Sequence, residues 1–353
     1  MAATNNPLED THSSSSFPTV SATTFTIAGI IVTVHGLSEL PPSTQEVACL
    51  WLLHPRLQTA QTMAPLANQI ISTHNARKSS SKGLIAVAFD QRNHGTRCVD
   101  KLHNEAWRSG NPRHAQDMFS CYHGTATDVS QLIDHLESYI LHTPDSPPIT
   151  THLALGISLG GHATWHCLLS DPRITAGVVG IGCPDYTRLM ADRARLSKRP
   201  SYIQSHPPGA HFLGSPDFPP ALQNAVAQYD PAGLLLPTSF NPVAPDTRPP
   251  SPHTLDRFKR IANDRLHGKH ILNLSGGADK LVPYAAGEPF LSLFKQILHD
   301  DASLQIHLED IVFDGVGHAF STQMADKATS WICDLLARER GREGVQGGVA
   351  SKI

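Results

Sequence analysis

The chain has 353 residues, of which 40% are hydrophobic and 17% are charged. That is enough apolar material to bury a large core, so disorder of the whole chain is excluded. The formal net charge of −3 lacks the basic excess that nucleic-acid binding normally requires. The mean hydropathy is −0.20 and no run of about 18 apolar residues occurs. The composition therefore predicts neither a nucleic-acid-binding surface nor a transmembrane helix.

Strand-like and helix-like segments alternate from residue 25 onward. Short runs of apolar or β-branched residues indicate strands over 25–34, 47–53, 83–89, 151–156, 175–181, 269–275 and 304–313. Apolar residues at intervals of three and four indicate helices over 59–74, 125–140, 159–169, 287–299 and 322–337. The alternation predicts an α/β fold with a mostly parallel central sheet and helices on both of its faces.

One region breaks this alternation. No strand is predicted between Pro184 and Leu266, and the stretch Pro200–Pro252 holds 13 of the 27 prolines. Because proline at that density excludes central strands and long helices, we expect a loop-rich insertion that acts as a lid. The predicted organisation is listed by residue range: a disordered segment over 1–24, one domain over 25–338 with a Pro-rich lid at about 184–266, and a flexible tail over 339–353.

The motif Gly156-Ile157-Ser158-Leu159-Gly160 lies between a predicted strand and a predicted helix. In that context a G-x-S-x-G sequence forms a nucleophile elbow, a sharp turn that exposes the serine hydroxyl. Small neighbours are needed because the turn brings other atoms close to the serine. The helix amino terminus behind the serine favours developing negative charge. Ser158 is therefore the predicted nucleophile.

A nucleophilic serine needs a base, and that base needs an orienting carboxylate. In this topology the acid and then the histidine follow later strands of the sheet. Asp279 lies on a short loop after one predicted strand, and His318 lies on the loop after the last. We expect these two residues to complete a triad with Ser158. Asp310 and Asp314 are the alternative carboxylates.

Acyl transfer also requires two N–H groups that bind the oxyanion. The first is expected from Leu159, directly after the nucleophile. The second is expected from the loop over 53–57, which follows the third predicted strand. Because Pro55 has no N–H, we assign the second donor to Arg56, with Leu57 as the alternative.

A run of basic residues opens the insertion: Arg188, Arg193, Arg195, Lys198 and Arg199. The run predicts a solvated helix face. The alternative is a contact for an anionic group such as a coenzyme A phosphate, which would suit a thioesterase.

The sequence predicts no metal and no cofactor. The histidine pairs His114 with His123 and His162 with His166 have no accompanying third ligand. No dinucleotide fingerprint or phosphate-binding glycine loop occurs either.

The predicted triad, together with the segment DQRNHG at 90–95, resembles the α/β-hydrolase superfamily over roughly residues 25–338. The stretches FDQRNHGTR, HAQDMFSCYHGTATD, GISLGGHATWH and ITAGVVGIGCPDYTRLM are more closely similar to a fungal branch of that superfamily. Within that branch they resemble the peroxisomal hydrolases encoded in clusters for host-selective toxins of the epoxy-decatrienoic acid type. The resemblance implies an α/β-hydrolase fold and a hydrolytic step in building such a toxin. One departure is His-Pro-Arg in the oxyanion loop, where His-Gly is common. We also expect Asp90 and Arg92 to pair and brace their turn.

The predicted function is a serine hydrolase that cleaves a carboxylic ester or thioester with an apolar acyl chain. The alternatives are an acyl-CoA thioesterase or acyltransferase, and a non-catalytic binding module on a hydrolase scaffold. The final Ser351-Lys352-Ile353 differs by one residue from the SKL import signal. We therefore expect binding to the peroxisomal import receptor and a peroxisomal location, with the cytoplasm as the alternative.

Overall fold

The structure is a computed structural model that describes residues 6–9, 11, 17–77, 82–236 and 250–346. Its strands are β1 (Ala22–Ile27), β2 (Ile30–His35), β3 (Glu46–Leu53), β4 (Lys82–Phe89), β5 (Ile149–Ile157), β6 (Ile174–Gly180), β7 (His270–Gly276) and β8 (His307–Phe313). They form one sheet in the order β1-β2-β4-β3-β5-β6-β7-β8. β2 is antiparallel to both β1 and β4, and all other neighbours are parallel. This confirms the predicted α/β fold with a mostly parallel sheet.

Helices cover both faces of the sheet. They are α1 (Ala64–Arg77), α2 (His114–Ile140), α3 (Leu159–Ser170), α4 (Tyr186–Leu196), α5 (Pro200–Ile203), α6 (Pro220–Tyr229), α7 (Pro231–Leu235), α8 (Pro252–Leu266), α9 (Tyr284–Asp300) and α10 (Thr322–Gln346). Short 3-10 turns lie at Ala60–Met63, Gly95–Arg97, Lys101–Asn104, Trp107–Ser109 and Ala302–Leu304. None of the helices within the described ranges is long and apolar enough to cross a membrane.

The strands direct alternate side chains into two separate cores. On β3, Trp51 and Leu53 pack with α2, α3 and α9 on one face of the sheet. Leu50 and Leu52 pack with α1 and α10 on the other. Both faces are buried, so the strands are continuous apolar runs instead of alternating polar and apolar residues.

The strand predicted over 25–34 is in fact a hairpin of β1 and β2. Its two-residue turn consists of Ala28 and Gly29, whose φ angles are +50° and +78°. A turn with two positive φ angles suits the twist of a two-strand hairpin. Alanine is uncommon in that conformation, so the sequence carried no clear turn signal.

The prediction of a disordered segment over 1–24 is wrong for the residues that the structure describes there. Leu8 is completely buried against the second core. The N–H of Phe320 donates to the carbonyl of Pro7 at 2.7 Å, and β1 already begins at Ala22. A single buried leucine in a polar stretch is enough to dock this segment beside the loop of His318.

The prediction of a loop-rich insertion is wrong for residues 184–236 and 250–266, which the structure describes as largely helical. Four of its helices begin at a proline, namely at Pro200, Pro220, Pro231 and Pro252. Proline is well tolerated at the first position of a helix, where its missing N–H would have no partner. These four prolines therefore mark the starts of helices. A count of prolines alone cannot show where each one lies within a helix. The described residues 184–236 and 250–266 contain no strand.

The tail predicted as flexible over 339–353 begins as a helix, because α10 continues to Gln346. Residues 339–346 are mostly good helix formers, and they extend the helix past the predicted end. The signal residues Ser351, Lys352 and Ile353 lie outside the described residues.

Candidate active site

Ser158 lies on the turn between β5 and α3, at the carboxyl edge of the sheet. Its φ and ψ angles are +56° and −110°, a conformation that non-glycine residues rarely adopt. A Cβ atom on Gly156 would overlap the carbonyl of Gly160, and one on Gly160 would overlap the carbonyl of Leu53. Both glycines are therefore required by close backbone packing. The turn is fixed by a 2.8 Å hydrogen bond from the Ser158 N–H to the carbonyl of Gly180.

The three residues of the predicted triad form one chain of hydrogen bonds. Ser158 Oγ lies 2.9 Å from His318 Nε2, and His318 Nδ1 lies 2.8 Å from Asp279 Oδ2. Their separations along the sequence, 160 and 39 residues, show that the fold and not local structure brings them together. The Asp279 side chain is fully buried, whereas that of His318 is 17% exposed. The buried carboxylate therefore lies behind an imidazole that solvent and ligands can reach.

The loop after β7 orients the Asp279 carboxylate. Its Oδ1 accepts hydrogen bonds from the N–H groups of Leu281 and Val282, at 2.8 and 2.9 Å. This leaves Oδ2 free to face His318. The alternative carboxylates are placed elsewhere, because Asp310 binds Lys295 Nζ at 2.7 Å and Asp314 is exposed.

Hydrogen bonds of the His54 side chain hold the oxyanion loop over 53–57 in place. His54 Nε2 accepts the Gln91 N–H at 2.9 Å, and burial lowers the pKa of His54 to about 4. A neutral imidazole can accept this bond while it donates from Nδ1 to the carbonyl of Pro55. Within the described part of the chain, the N–H groups of Leu159 and Arg56 have no hydrogen-bond acceptor.

The expected pairing of Asp90 with Arg92 is wrong. Asp90 accepts hydrogen bonds from the N–H groups of Ala60 and Thr96. Arg92 instead reaches Asp128 on α2, at 2.9 Å. Both residues brace the turn as expected, but backbone N–H groups satisfy the aspartate and free the arginine for another carboxylate.

The predicted solvated face of the basic run is correct for some of its members. Arg195 pairs with Asp192, Arg188 with Asp185, and Arg199 with Asp217, at 2.6, 3.2 and 2.6 Å. These three arginines are satisfied by aspartates of the insertion itself. They do not form a uniform cationic patch.

Arg193 is the member that the prediction misplaced. It is buried, and its guanidinium donates to the carbonyl of Leu281 on the Asp279 loop, at 3.2 and 3.4 Å. On α4 it follows buried Leu189 and Met190 by four and three residues, so it shares their face of the helix. That spacing was a usable signal, which the basic character of the run obscured.

Two buried histidines lie close to this site. Burial lowers the pKa of His162 to about 3, and its Nδ1 accepts the N–H of Cys183 at 2.9 Å. Burial and the charge of Arg193 hold the pKa of His114 well below 6.5. Both imidazoles are therefore neutral. Within the described residues, no group of three or more His, Cys, Asp or Glu side chains could hold a metal ion.

A cavity of about 520 Å³ lies between the insertion and the acid loop. On the insertion side it is lined by α4 and Tyr202, and on the other side by Asp279, Lys280 and Pro283. The insertion therefore forms one wall of a cavity whose lining includes Asp279 but neither Ser158 nor His318.

A model of the alpha/beta hydrolase family matches residues 31–329 of the sequence. The chain belongs to the alpha/beta hydrolase family. The match spans strands β3 to β8 and nearly all of β2, the elbow and the loops of Asp279 and His318, and it supports the predicted hydrolase. No curated protein matches the chain in sequence.

Solved structures of other hydrolase-fold proteins overlay on this chain at low sequence identity. TT1662 from Thermus thermophilus is 18% identical, with a TM-score of 0.52 over 90% of this chain and 98% of that one. A putative dipeptidyl aminopeptidase IV from Bacteroides ovatus is 14% identical, with a TM-score of 0.50 over 91% and 36%. The acylaminoacyl peptidase of Pyrococcus horikoshii is 13% identical, with a TM-score of 0.50 over 93% and 43%. This family member spans less than half of either peptidase, and the likeness is one of fold.

Proposed function

We propose that this hydrolase cleaves a carboxylic ester or thioester through Ser158, His318 and Asp279. The observation that carries the proposal is the continuous hydrogen-bonded chain from Ser158 Oγ to the buried Asp279 carboxylate. A serine hydroxyl becomes a nucleophile only when a base accepts its proton, and His318 Nε2 lies where that base is needed.

In the proposed reaction Ser158 Oγ attacks the acyl carbonyl while His318 Nε2 takes the hydroxyl proton. The N–H groups of Leu159 and Arg56 stabilise the resulting oxyanion, with Leu57 as the alternative second donor. His318 then returns the proton to the departing alcohol or thiol, and an acyl-enzyme remains. Water attacks this intermediate with the help of the same base and releases the acid. Asp279 stabilises the imidazolium in both halves of the reaction.

A fluorophosphonate probe tests the nucleophile directly. The native protein should be labelled at Ser158, and Ser158→Ala should abolish labelling. Ser170→Ala is the control, since Ser170 is an exposed serine at the end of α3. If the native protein remains unlabelled while folded, the non-catalytic binding module becomes the better description.

The proposed substrate class is an ester or thioester with an apolar acyl chain, and the helical insertion over 184–266 is the proposed lid. Its support is the placement of α4 beside the acid loop, together with the cavity between them. Turnover of matched acyl esters and acyl-CoA thioesters separates a general esterase from a thioesterase. A product that retains the acyl group on an added alcohol would instead indicate an acyltransferase.

We also propose a role in a peroxisomal step of host-selective toxin biosynthesis. The support is the resemblance of four sequence stretches to hydrolases of such clusters, together with the terminal Ser-Lys-Ile. A fluorescent protein fused ahead of the chain should enter peroxisomes, and deletion of residues 351–353 should leave it in the cytoplasm. Gene deletion in the source organism should reduce the amount of toxin of the epoxy-decatrienoic acid type. An unchanged metabolite profile would contradict the pathway assignment.

A further inference from the structure

Arg193 is a buried cation without a carboxylate partner in the described residues. Its Nη1 contacts His114 Nε2 at 3.2 Å and Met118 Sδ at 3.0 Å, while Nε and Nη2 share the carbonyl of Leu281. All of these partners are uncharged. His114 donates from Nδ1 to the carbonyl of Glu105 at 3.0 Å, which leaves Nε2 as an acceptor for the arginine.

A second guanidinium, that of Arg56, lies in the same region. It extends from the oxyanion loop and donates to the carbonyl of Asn104, and the described residues offer it no carboxylate within ion-pair distance. Unlike Arg193, it is partly exposed. Burial and then the charge of Arg56 lower the pKa of Arg193 to about 10. His114 contacts Arg193 and the carbonyl of Glu105, and Arg56 binds the carbonyl of Asn104, the preceding residue, so the three groups are neighbours.

An unused hydrogen-bond donor lies beside His114, the neutral partner of Arg193. The ring of Trp107 packs edge-on against His114, with centroids 5.2 Å apart. Its Nε1–H is buried and has no partner in the described residues. Buried donors are normally satisfied, so this one adds an independent sign that a polar group is missing from the site.

Placing two positive charges together in a partly dry site is unfavourable unless an anion accompanies them. Asp279, whose charge acts on Arg193, is already bound to His318 and two backbone N–H groups. Glu105, whose charge acts on Arg56, forms no ion pair with it in the described residues. Neither guanidinium therefore has a carboxylate bound directly to it, and a ligand carboxylate can pair with both. Guanidinium groups bind carboxylates in a bidentate manner that suits such a site.

We propose that Arg193 and Arg56 bind a carboxylate of the substrate, so that the preferred substrates are esters or thioesters that carry a free carboxylate. This inference rests on the proposed function and narrows its substrate class. A carboxylate is favoured over a nucleotide phosphate because Arg193 is buried, and only a small anionic group at the end of a slim chain can reach it. The carboxylate can belong to the acyl part of the substrate or to its leaving group. Each possibility is tested with its own pair of substrates.

The experiment compares paired substrates that differ only in charge. On the acyl side, the 4-nitrophenyl half-ester of glutaric acid is compared with its neutral methyl ester. On the leaving-group side, 4-carboxyphenyl pentanoate is compared with its neutral methyl ester, 4-(methoxycarbonyl)phenyl pentanoate. We expect one charged substrate to exceed its neutral partner in kcat/KM by on the order of tenfold or more, mainly through a lower KM.

Arg193→Gln should remove this preference, because it should lower kcat/KM for the charged substrate by more than for its neutral partner. Arg56→Gln should weaken it, and Arg193→Lys should retain part of it. Arg195→Gln on the same helix is the matched control, because Arg195 is exposed and paired with Asp192. A purely structural Arg193, acting only through the carbonyl of Leu281, would slow charged and neutral substrates equally. Arg56→Gln keeps the test valid if the Arg193 variants fail to fold.

Labelling by fluorophosphonate separates failure of this inference from failure of the proposed function. Labelling at Ser158 without any preference for a charged substrate overturns the carboxylate site alone. If labelling itself fails, titration calorimetry that compares the binding of glutarate with that of pentanoate still tests the carboxylate site. Tighter binding of glutarate that Arg193→Gln abolishes supports the site, and equal binding overturns it.

Discussion

Two buried carboxylates of the hydrolase core have direct ionic partners, but some buried charged side chains of the helical insertion do not. In the core, Asp128 on α2 receives both Arg92 and Arg97, at 2.9 and 2.8 Å. Asp310 on β8 likewise receives Lys295 at 2.7 Å. Each of these buried carboxylates therefore has a cationic side chain within hydrogen-bond distance.

The insertion leaves charges incompletely compensated. Asp230 accepts hydrogen bonds from the N–H groups of Tyr186 and Gly233, and burial followed by the charge of Asp185 raises its pKa well above 3.8. Arg193 has only neutral partners. Complete compensation favours a rigid core, whereas residual charge beside an active site is available to a ligand. The following changes test this contrast, beginning with a large loss of activity and ending with the smallest change in stability.

Asp279→Asn should reduce turnover by about 10⁴-fold with little change in stability. The N–H groups of Leu281 and Val282 demand an oxygen at the Oδ1 position, so the new amide must direct its NH₂ at His318. His318 Nδ1 then has to accept, its proton moves to Nε2, and Nε2 can no longer take the proton of Ser158. The rate of fluorophosphonate labelling measures the effect. Asp314→Asn is the control, and native labelling of Asp279→Asn would remove Asp279 from the triad.

Asp128→Asn should destabilise the core by about 2 kcal/mol. Removal of this carboxylate leaves Arg92 and Arg97 beside a neutral group, although their partial exposure to solvent reduces the loss. Denaturant unfolding measures the difference. Asp134→Asn is the matched control on the same helix, because Asp134 is exposed and pairs with Arg173 at the surface. Equal losses in the free energy of unfolding of the two variants would show that the buried ion pairs stabilise the core no more than a surface pair does.

The loops that carry Ser158, Asp279 and His318 could be located from the sequence, because each follows a predicted strand, and the strands before Ser158 and Asp279 are largely buried on both faces. β8 is the weakest of these strands and is only partly buried. Even there, the turn residues after Phe313 marked its end. The glycines of the elbow were equally readable, since backbone overlap would forbid any side chain at 156 or 160.

The insertion could not be predicted in the same way. Proline content signals the absence of strands, but only the position of each proline within a helix separates a helix start from a loop. The inward orientation of the Arg193 side chain was difficult to predict for a similar reason. Its spacing from Leu189 and Met190 places it on the buried face, but a charged residue on an apolar face is an exception to amphipathic patterning. Pairings such as Arg92 with Asp128 depend on how the chain packs over 36 residues, which no local pattern reports.

Asp185→Asn should change how stability depends on pH. Burial raises the pKa of Asp185 to about 6, so between about pH 4 and 6 the folded state holds a proton that the unfolded state has released. The free energy of unfolding therefore falls as pH rises through this range, by roughly 2–3 kcal/mol for this group. Asparagine still caps α4 as Asp185 does, and the variant should lose this slope. Unfolding at pH 4, 5, 6 and 7 measures it, with Asp192→Asn as the control, and an unchanged slope would contradict the raised pKa.

Arg195→Gln should have the smallest effect, within about 0.5 kcal/mol of the native stability. Arg195 and Asp192 are one turn apart on α4 and pair at 2.6 Å, but their side chains are 55% and 26% exposed. Hydration of the separated charges replaces most of the energy of such an exposed ion pair, so its loss costs little. Thermal unfolding of this variant beside Arg193→Gln then compares two arginines only two residues apart on one helix. A loss above about 1 kcal/mol for Arg195→Gln would mean that the outer face of α4 is not simply solvated, and the distinction between its satisfied and unsatisfied arginines would fail.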